Sequence, residues 1–167
     1  MIYLGIDLSL TGTGLCVLDS NKPNWIKVNL IKTNKRGCRR LRYIKEKIAL
    51  CTELFKPDIV VLEGYSYGSR TGQAFSIGEL GGVVKLELFF KYKTLIVPPT
   101  CLKKFITGKG TTGKDIMLLK TFKKYGVEFT DNNKCDAFGL AQMGKTFTES
   151  TKIGYEREAL EKIKFLE

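Results

Sequence analysis

The first apolar run of the chain ends directly on an acid. Residues 1–6 are apolar or small, Asp7 follows, and the stretch 8–14 is rich in turn residues. A short apolar run bounded by turn residues is typical of a buried strand, so Asp7 would stand where a central strand leaves the core. Because an unpaired buried carboxylate is costly, a metal ion, a hydrogen-bond network or a phosphate-binding role would explain it. An ordinary turn residue is the alternative.

Length and composition indicate one basic domain. The 167 residues, 43% of them hydrophobic, suffice for one core and are few for two domains. The net charge of +11 favours a polyanionic partner, either nucleic acid or an anionic membrane surface. No apolar run approaches the roughly 20 residues of a membrane span, and the start of the chain lacks the pattern of a signal peptide. We therefore expect a cytoplasmic protein that does not act on membranes.

The residue types restrict the available chemistry. The sequence contains no histidine, which excludes Ser-His-Asp and Cys-His mechanisms and the usual mixed zinc sites. Its five cysteines form no C-x-x-C pair, and their odd number fits poorly with a disulfide framework. Any catalysis would use carboxylates, lysines, hydroxyls or thiolates. A bound metal would be a hard cation that prefers oxygen ligands.

The order of the predicted elements indicates an α/β fold. Strands are predicted at residues 2–7, 14–18 and 25–31, forming an antiparallel meander, and then an amphipathic helix at 39–55. A second apolar strand at 59–62 ends on Glu63, and the helical crossover makes it parallel to the first strand. Helices are further predicted at about 74–92, 114–125 and 132–145, with a short strand at 94–97. Residues 1–146 would form the domain, and residues 147–167 a tail with a marginal helix.

Three acids are predicted to converge at one edge of the sheet. Asp7 and Glu63 end parallel strands, and open α/β sheets place their sites at the carboxyl ends of such strands. On a helix, Asp136 shares a face with apolar residues, so the acid is expected to point inward, and Gly139 on the same face would let the sheet approach closely. Three acids without histidine suit two magnesium or manganese ions that act on a phosphodiester. The alternative for Asp136 is a role in capping or solvating a helix.

A set of motifs in a fixed order resembles a known family. The chain is similar to the RuvC-like Holliday-junction resolvases of the RNase H-like superfamily, particularly their phage members, in residues 5–14 (GIDLSLTGTG), 61–65 (VLEGY), 76–85 (SIGELGGVVK), 98–105 (PPTCLKKF), 108–110 (GKG) and 136–141 (DAFGLA). The resemblance implies an RNase H-like, five-stranded mixed sheet, an antiparallel meander plus two parallel strands, with helices on both faces. A phage-encoded protein would act in the host cytoplasm.

The same resemblance implies an activity and a partner. Members of the family cut four-way DNA junctions by paired nicking, as homodimers, with divalent metal. We therefore expect branched DNA as the substrate, two Mg²⁺ or Mn²⁺ ions per active site, and a dimer formed through the helix at 74–92. On this basis Asp7, Glu63 and Asp136 are the catalytic, metal-binding acids.

The sequence departs from the family pattern at a fourth acid, three residues before the last one. That position holds Asn133, whose carbonyl oxygen could still reach a metal because residues three apart share a helix face. Asp131 could substitute only if it lies before the first turn, since five residues correspond to about 140° around a helix. The alternative for Asp131 is an N-cap.

Basic and aromatic side chains accompany the acids along the chain. Lysines surround the glycine-rich loop 107–113, which we predict to be flexible, and Lys114 would lie near the scissile phosphate because the resemblance places a lysine there. Aromatic rings in the loop after Glu63 could stack on unpaired bases at the junction centre. The alternatives are solvated surface lysines and packed tyrosines. The predicted DNA contacts are Tyr65, Tyr67, Arg70, Lys103, Lys104, Lys109 and Lys114.

Two other functions remain compatible with the sequence. The hairpin at residues 7–14 also resembles the phosphate-binding turn of ATP-binding domains on a related fold. Those proteins need a second domain to close the nucleotide cleft, and the chain is short for one. A non-catalytic nucleic-acid-binding module is conceivable because the fourth acid is absent.

Overall fold

A computed structural model describes residues 1–64 and 73–167, apart from the side chain of Gln73. Six strands of this part form one mixed sheet in the order β3-β2-β1-β4-β5-β6. Neighbours β1, β2 and β3 are antiparallel, and β1, β4 and β5 are parallel. The strands are β1 Ile2–Asp7, β2 Gly12–Asp19, β3 Ile26–Lys32, β4 Ile59–Glu63, β5 Thr94–Val97 and β6 Lys164–Phe165.

The predicted five-stranded sheet needs one correction, because β6 adds a sixth strand. It pairs antiparallel with β5, with Phe165 opposite Leu95. The Leu166 amide then donates to the Thr94 carbonyl at 2.8 Å. A strand of two residues carries no alternation that a sequence pattern could reveal, so only the tertiary contact with β5 defines it.

Helices cover both faces of the sheet, as predicted. They are α1 Gly37–Phe55, α2 Gln73–Phe89, α3 Pro99–Thr107, α4 Lys114–Tyr125, α5 Asn132–Glu149 and α6 Gly154–Leu160. Successive side chains of a strand point to opposite faces. Leu4 and Ile6 of β1 therefore pack in the core under α1 and α2, whereas Tyr3 packs in the core under α3 and α5. No helix of the described ranges is both long and apolar enough to cross a membrane.

Several helix boundaries differ from the predicted ones. Helix α2 ends at Phe89, three residues before the predicted end, and α5 continues to Glu149. The boundary that we predicted between residues 146 and 147 therefore falls inside α5. The tail contains the predicted helix as α6, and Ala159 and Ile163 bury their side chains in the core.

Close approach between α5 and the sheet depends on two glycines of the strands. A Cβ atom on Gly5 would lie 2.0 Å from the Ala137 carbonyl oxygen, and one on Gly14 would lie 2.1 Å from the Asn133 carbonyl oxygen. Gly139, which we predicted to face the sheet, instead faces α3, where its Cβ would meet Leu102 at 2.8 Å. Because Asp7 pairs with Gly14 across the ladder, this contact brings the first turns of α5 beside Asp7.

Candidate active site

Asp7 and Glu63 end adjacent parallel strands, as the sequence predicted. The residues before them, Ile6 and Leu62, are partners in the register of β1 and β4. Asp7 is 6% exposed. The two carboxyl groups interact directly, and the pKa of each is raised above its ordinary value, mainly by burial.

Asp136 completes an acidic group at this edge of the sheet. Burial, followed by repulsion from Glu63 and Asp136, raises the pKa of Asp7 well above its usual range. Burial is also the main cause that raises the pKa of Glu63, with repulsion from Asp136 second. Burial raises the pKa of Asp136 to about 6. The fold thus holds three carboxyl groups whose burial makes them ionise less readily than in water.

Two lysines partly offset the upward pKa shifts of these acids. Lys103 of α3 lowers the pKa of Glu63 and Asp136, and Lys114 of α4 lowers that of Asp7 and Asp136. The net pKa shift of each acid remains upward, so two ammonium groups do not neutralise the cluster. The structure therefore brings Lys114 to the acids as predicted, and it brings Lys103 there as well.

A cavity of about 680 Å³ opens in front of these groups. Asn132, the first residue of α5, lines it but was not among the predicted site residues. Its spacing of four residues from Asp136 places both on one helix face, a signal that could have identified it. The cavity is lined by Leu8, Glu63, Gly64, Ala74, Ile77, Gly78, Pro99, Leu102, Lys103, Lys114, Met117, Asn132 and Asp136.

The two residues considered for a fourth metal ligand have other contacts. The Asn133 side-chain amide donates to the Gly12 carbonyl at 2.5 Å, which directs its nitrogen toward the β1–β2 turn. Asp131 is the N-cap of α5 and accepts from the Lys134 amide at 3.1 Å. The structure thus supports the N-cap alternative for Asp131. The carbonyl oxygen of Asn133 is the group that a metal could still use.

Lys104 and Lys109, two further predicted DNA contacts, do not line the cavity. Lys104 forms an ion pair with Glu158 of α6, so its ammonium group is turned away from the acids. Lys109 is exposed, in a compact loop in which the Thr107 and Thr112 hydroxyls both donate to its carbonyl. These internal bonds were not anticipated when the loop was predicted to be flexible. Tyr65, Tyr67 and Arg70 lie outside the described residues.

The acids fit a divalent cation by their donor chemistry and charge. Carboxylate oxygens are the ligands that magnesium and manganese prefer, and a cation would favour the ionised form of three acids whose burial raises their pKa values. Within residues 1–64 and 73–167, no three acidic, cysteine or histidine side chains already form a metal-binding group. The three acids are therefore not arranged in advance as metal ligands, and the fit rests on their charge and their oxygen donors.

Sequence comparison identifies a family to which the chain is similar. The family model described as "Crossover junction endodeoxyribonuclease RuvC" matches residues 3–143. Two curated relatives of that name come from Brachyspira hyodysenteriae and Dictyoglomus thermophilum. The first is 26% identical over 151 residues, 84% of this chain and 91% of the relative. The second is 28% identical over 120 residues, 69% of this chain and 76% of the relative.

Solved structures show the same fold. The Thermus thermophilus RuvC structure superposes with a TM-score of 0.73 at 20% identity, covering 89% of this chain and 96% of that one. T. thermophilus RuvC in complex with Holliday junction substrate gives a TM-score of 0.70 at 21% identity, covering 84% and 90%. The predicted RNase H-like architecture is thereby confirmed, while the likeness to phage members in particular stays a prediction. With a family model that matches most of its length, the chain belongs to the RuvC family of crossover junction endodeoxyribonucleases.

Proposed function

We propose that this chain is a structure-selective endonuclease that resolves Holliday junctions and other branched DNA by paired nicking. The observation that supports this function is that Glu63, Asp136, Lys103 and Lys114 line one open cavity. Asp7 lies close enough to interact with Glu63 and Asp136. Three acids and two ammonium groups suit a site that binds both a metal ion and a phosphodiester. The family assignment also favours a nuclease over the ATP-binding domain considered from the sequence.

Each group in the site has a distinct proposed role. Asp7, Glu63 and Asp136 hold divalent metal, on which nucleases of this family generally depend, and we assign two Mg²⁺ or Mn²⁺ ions. When bound, the metal supplies an activated water and stabilises the leaving oxygen. Lys103 and Lys114 contact the phosphate oxygens. The Asn133 carbonyl oxygen is a further metal ligand in this proposal, and Asp131 acts only as the N-cap.

Further residues would contact the junction in addition to those that line the cavity. We assign DNA contacts to Tyr65, Tyr67 and Arg70, which follow Glu63 along the chain, because aromatic rings stack on unpaired bases. Lys109 is exposed beside the cavity-lining helices and would meet a phosphate. Lys104 would do so only after it leaves Glu158.

Paired nicking requires two active sites, and we propose a homodimer through α2. One face of this helix buries Leu80, Val84 and Leu88 in the core. Its other side exposes Phe75 by 82% and Leu86 by 62% of their surfaces. Phe89 and Phe90, at the end of the helix, are exposed as well. A second copy packed on this apolar side would remove it from water.

The test compares a labelled four-way junction with a linear duplex of the same sequence. We expect magnesium-dependent cutting of the junction at two strands and little cutting of the duplex. Glu128→Gln, which changes an exposed acid that does not line the cavity, should cut like the wild type. Equal cutting of both substrates, or activity that survives Asp7→Asn, would contradict the proposal.

One observation favours a second candidate, a non-catalytic module that binds junctions. The fourth position carries an amide, and that amide already donates to the Gly12 carbonyl. Such a module would bind the junction tightly and leave it intact at every magnesium or manganese concentration. The cutting assay, run beside a binding assay on the same junction, separates the two functions.

A further inference from the structure

The C-terminal segment, residues 151–165, packs closely on the domain although it lies outside the family-matched range of residues 3–143. Its strand β6 extends the sheet, and Ala159 and Ile163 are buried. The segment therefore belongs to the folded unit. Its helix α6 packs mainly on α3, which carries Lys103, and an ion pair joins α6 to α4, which carries Lys114.

Glu156 of α6 is the most unusual residue in this segment because its charge is buried. It is 4% exposed. One carboxylate oxygen pairs with the Lys124 ammonium at 2.6 Å, and the other accepts from the Thr151 hydroxyl at 2.6 Å. A buried carboxylate with both oxygens satisfied is held in one geometry.

Lys124 connects Glu156 to two further helices. It belongs to α4, and its ammonium group donates to the Phe105 carbonyl of α3 at 2.9 Å. The same group lies over the Phe105 ring, 4.3 Å from the centroid, and 5.1 Å from that of Tyr125. A single ammonium group thus joins α3, α4 and α6.

The C-terminal half of α3 has additional contacts with the segment. Lys104 pairs with Glu158, and the Tyr155 ring lies beside Gly108, the residue that ends α3. Lys103, between these anchors and the cavity, faces the acids from α3. Lys114 faces them from the start of α4.

We propose that Glu156 and Lys124 are positioning residues for the junction-cutting site. Through them the C-terminal segment fixes α3 and α4 relative to each other, and so places Lys103 and Lys114 where they meet one phosphate together. The inference rests on the proposed function, because it assigns phosphate binding to these two lysines. Neither Glu156 nor Lys124 touches the substrate.

The first test measures whether Glu156 holds α3. Hydrogen exchange is compared between the full-length wild type, Glu156→Gln and Glu161→Gln. The last variant makes the same charge change at an exposed position of the segment. We expect Glu156→Gln to speed exchange of the α3 amides about tenfold more than that of the β1 amides, because local openings differ in free energy across a fold. Equal changes in α3 and β1 would overturn the proposal.

The second test measures binding of a fluorescent four-way junction without divalent metal, between about 50 and 200 mM salt. We expect Glu156→Gln to bind about tenfold more weakly and to lower the slope of log affinity against log salt by about one, as if one phosphate contact were lost. A loss of folded protein alone would lower the active fraction and leave the slope unchanged. An affinity and slope equal to those of Glu161→Gln would overturn the proposal.

Thr151→Val provides a milder variant in case Glu156→Gln does not fold. It removes one partner of Glu156 and keeps the ion pair with Lys124, so both effects should appear with smaller size. A wild type that fails to bind the junction would contradict the proposed function alone. The exchange rates of α3 would still decide whether Glu156 holds this helix.

Discussion

Asp7 at the end of β1 and Glu63 at the end of β4 lie close enough for their carboxyl groups to interact directly. Burial is the main cause that raises the pKa of both groups, so the pair keeps a proton to higher pH than two separate, exposed carboxyl groups would. Cation binding must release such a proton, because metal ligands are deprotonated. Metal binding and protonation therefore compete at this pair.

Replacing Asp7 with asparagine should abolish cutting while leaving junction binding nearly intact. The amide keeps the size of the side chain and removes its charge, so the lysines that meet phosphates stay in place. We expect a loss of activity of at least roughly a thousandfold, since a metal-assisted reaction loses several kcal/mol of stabilisation with a ligand. Single-turnover cutting and anisotropy binding measure the two effects. Weakened binding with unchanged cutting would contradict the role given to Asp7.

The raised pKa values predict how the stability of the metal-free protein depends on pH. Asp7, Glu63 and Asp136 keep their protons to higher pH in the folded state than in the unfolded chain. Between about pH 4 and pH 8 the folded state therefore binds more protons, and the contribution of these acids to the free energy of unfolding falls as the pH rises.

Asp7→Asn isolates that contribution because an amide does not ionise. In EDTA we expect the variant to lose less stability than the wild type between pH 5 and pH 8, by on the order of 2 kcal/mol. Urea unfolding at the two pH values measures the difference. Magnesium should oppose the loss in the wild type at pH 8, since a cation favours the ionised acids. Parallel pH dependences of the two proteins would contradict the assignment.

Asn133→Asp tests the fourth position around the metal. The new carboxylate cannot donate to the Gly12 carbonyl, and it adds negative charge beside Asp136. In EDTA we expect a loss of about 1–3 kcal/mol in the free energy of unfolding. Magnesium should recover part of it. The matched control is Asp131→Asn, which keeps an N-cap oxygen and should leave stability within roughly 0.5 kcal/mol. An Asn133→Asp protein as stable as the wild type in EDTA would contradict the prediction.

Gly5→Ala should disrupt the contact that places α5 on the sheet. The added Cβ would lie 2.0 Å from the Ala137 carbonyl oxygen, a backbone atom that cannot turn aside. We expect a loss of about 3 kcal/mol or more in the free energy of unfolding, since overpacking forces backbone shifts. Gly154→Ala is the control, because in the described part of the chain no atom outside its own helix turn and chain neighbours lies within 4 Å of its Cβ position. Thermal unfolding compares them, and similar effects of the two changes would contradict the packing argument.

Lys103→Ala and Lys114→Ala should each weaken junction binding and lower its salt slope by about one, because each lysine contacts a phosphate. Lys22→Ala is the control. Lys22 is exposed and follows β2, whose last residue pairs with Ile2 at the opposite end of β1 from Asp7. Anisotropy titrations at several salt concentrations supply the slopes. A slope for Lys22→Ala as low as that of the cavity lysines would show a general charge effect instead.

The sequence predicted the bounds of helices and strands most accurately where turn-forming residues stand at the ends of a hydrophobic pattern. Helix α4 has the predicted bounds, Lys114–Tyr125, because a glycine precedes it and another glycine, Gly126, ends it in the left-handed conformation. Strand β5, Thr94–Val97, is bounded by a turn and by prolines and also matches. The helix period correctly predicted that Asp136 points inward. It wrongly predicted that Gly139 faces the sheet, because α3 lies on that side. A helix period tells which residues share a face without telling which element lies against it.

The sequence by itself determined that β1 and β4 would run parallel, and that Asp7 and Glu63 would end them at the same edge. These conclusions follow from local periodicity and from the handedness of crossovers. Only the tertiary structure decided the burial of Asp7 and Glu63, the approach of Lys103 to the acids, and the buried pair of Glu156 and Lys124. Such relationships depend on distances between residues far apart in the chain, and on burial, which changes the cost of charge.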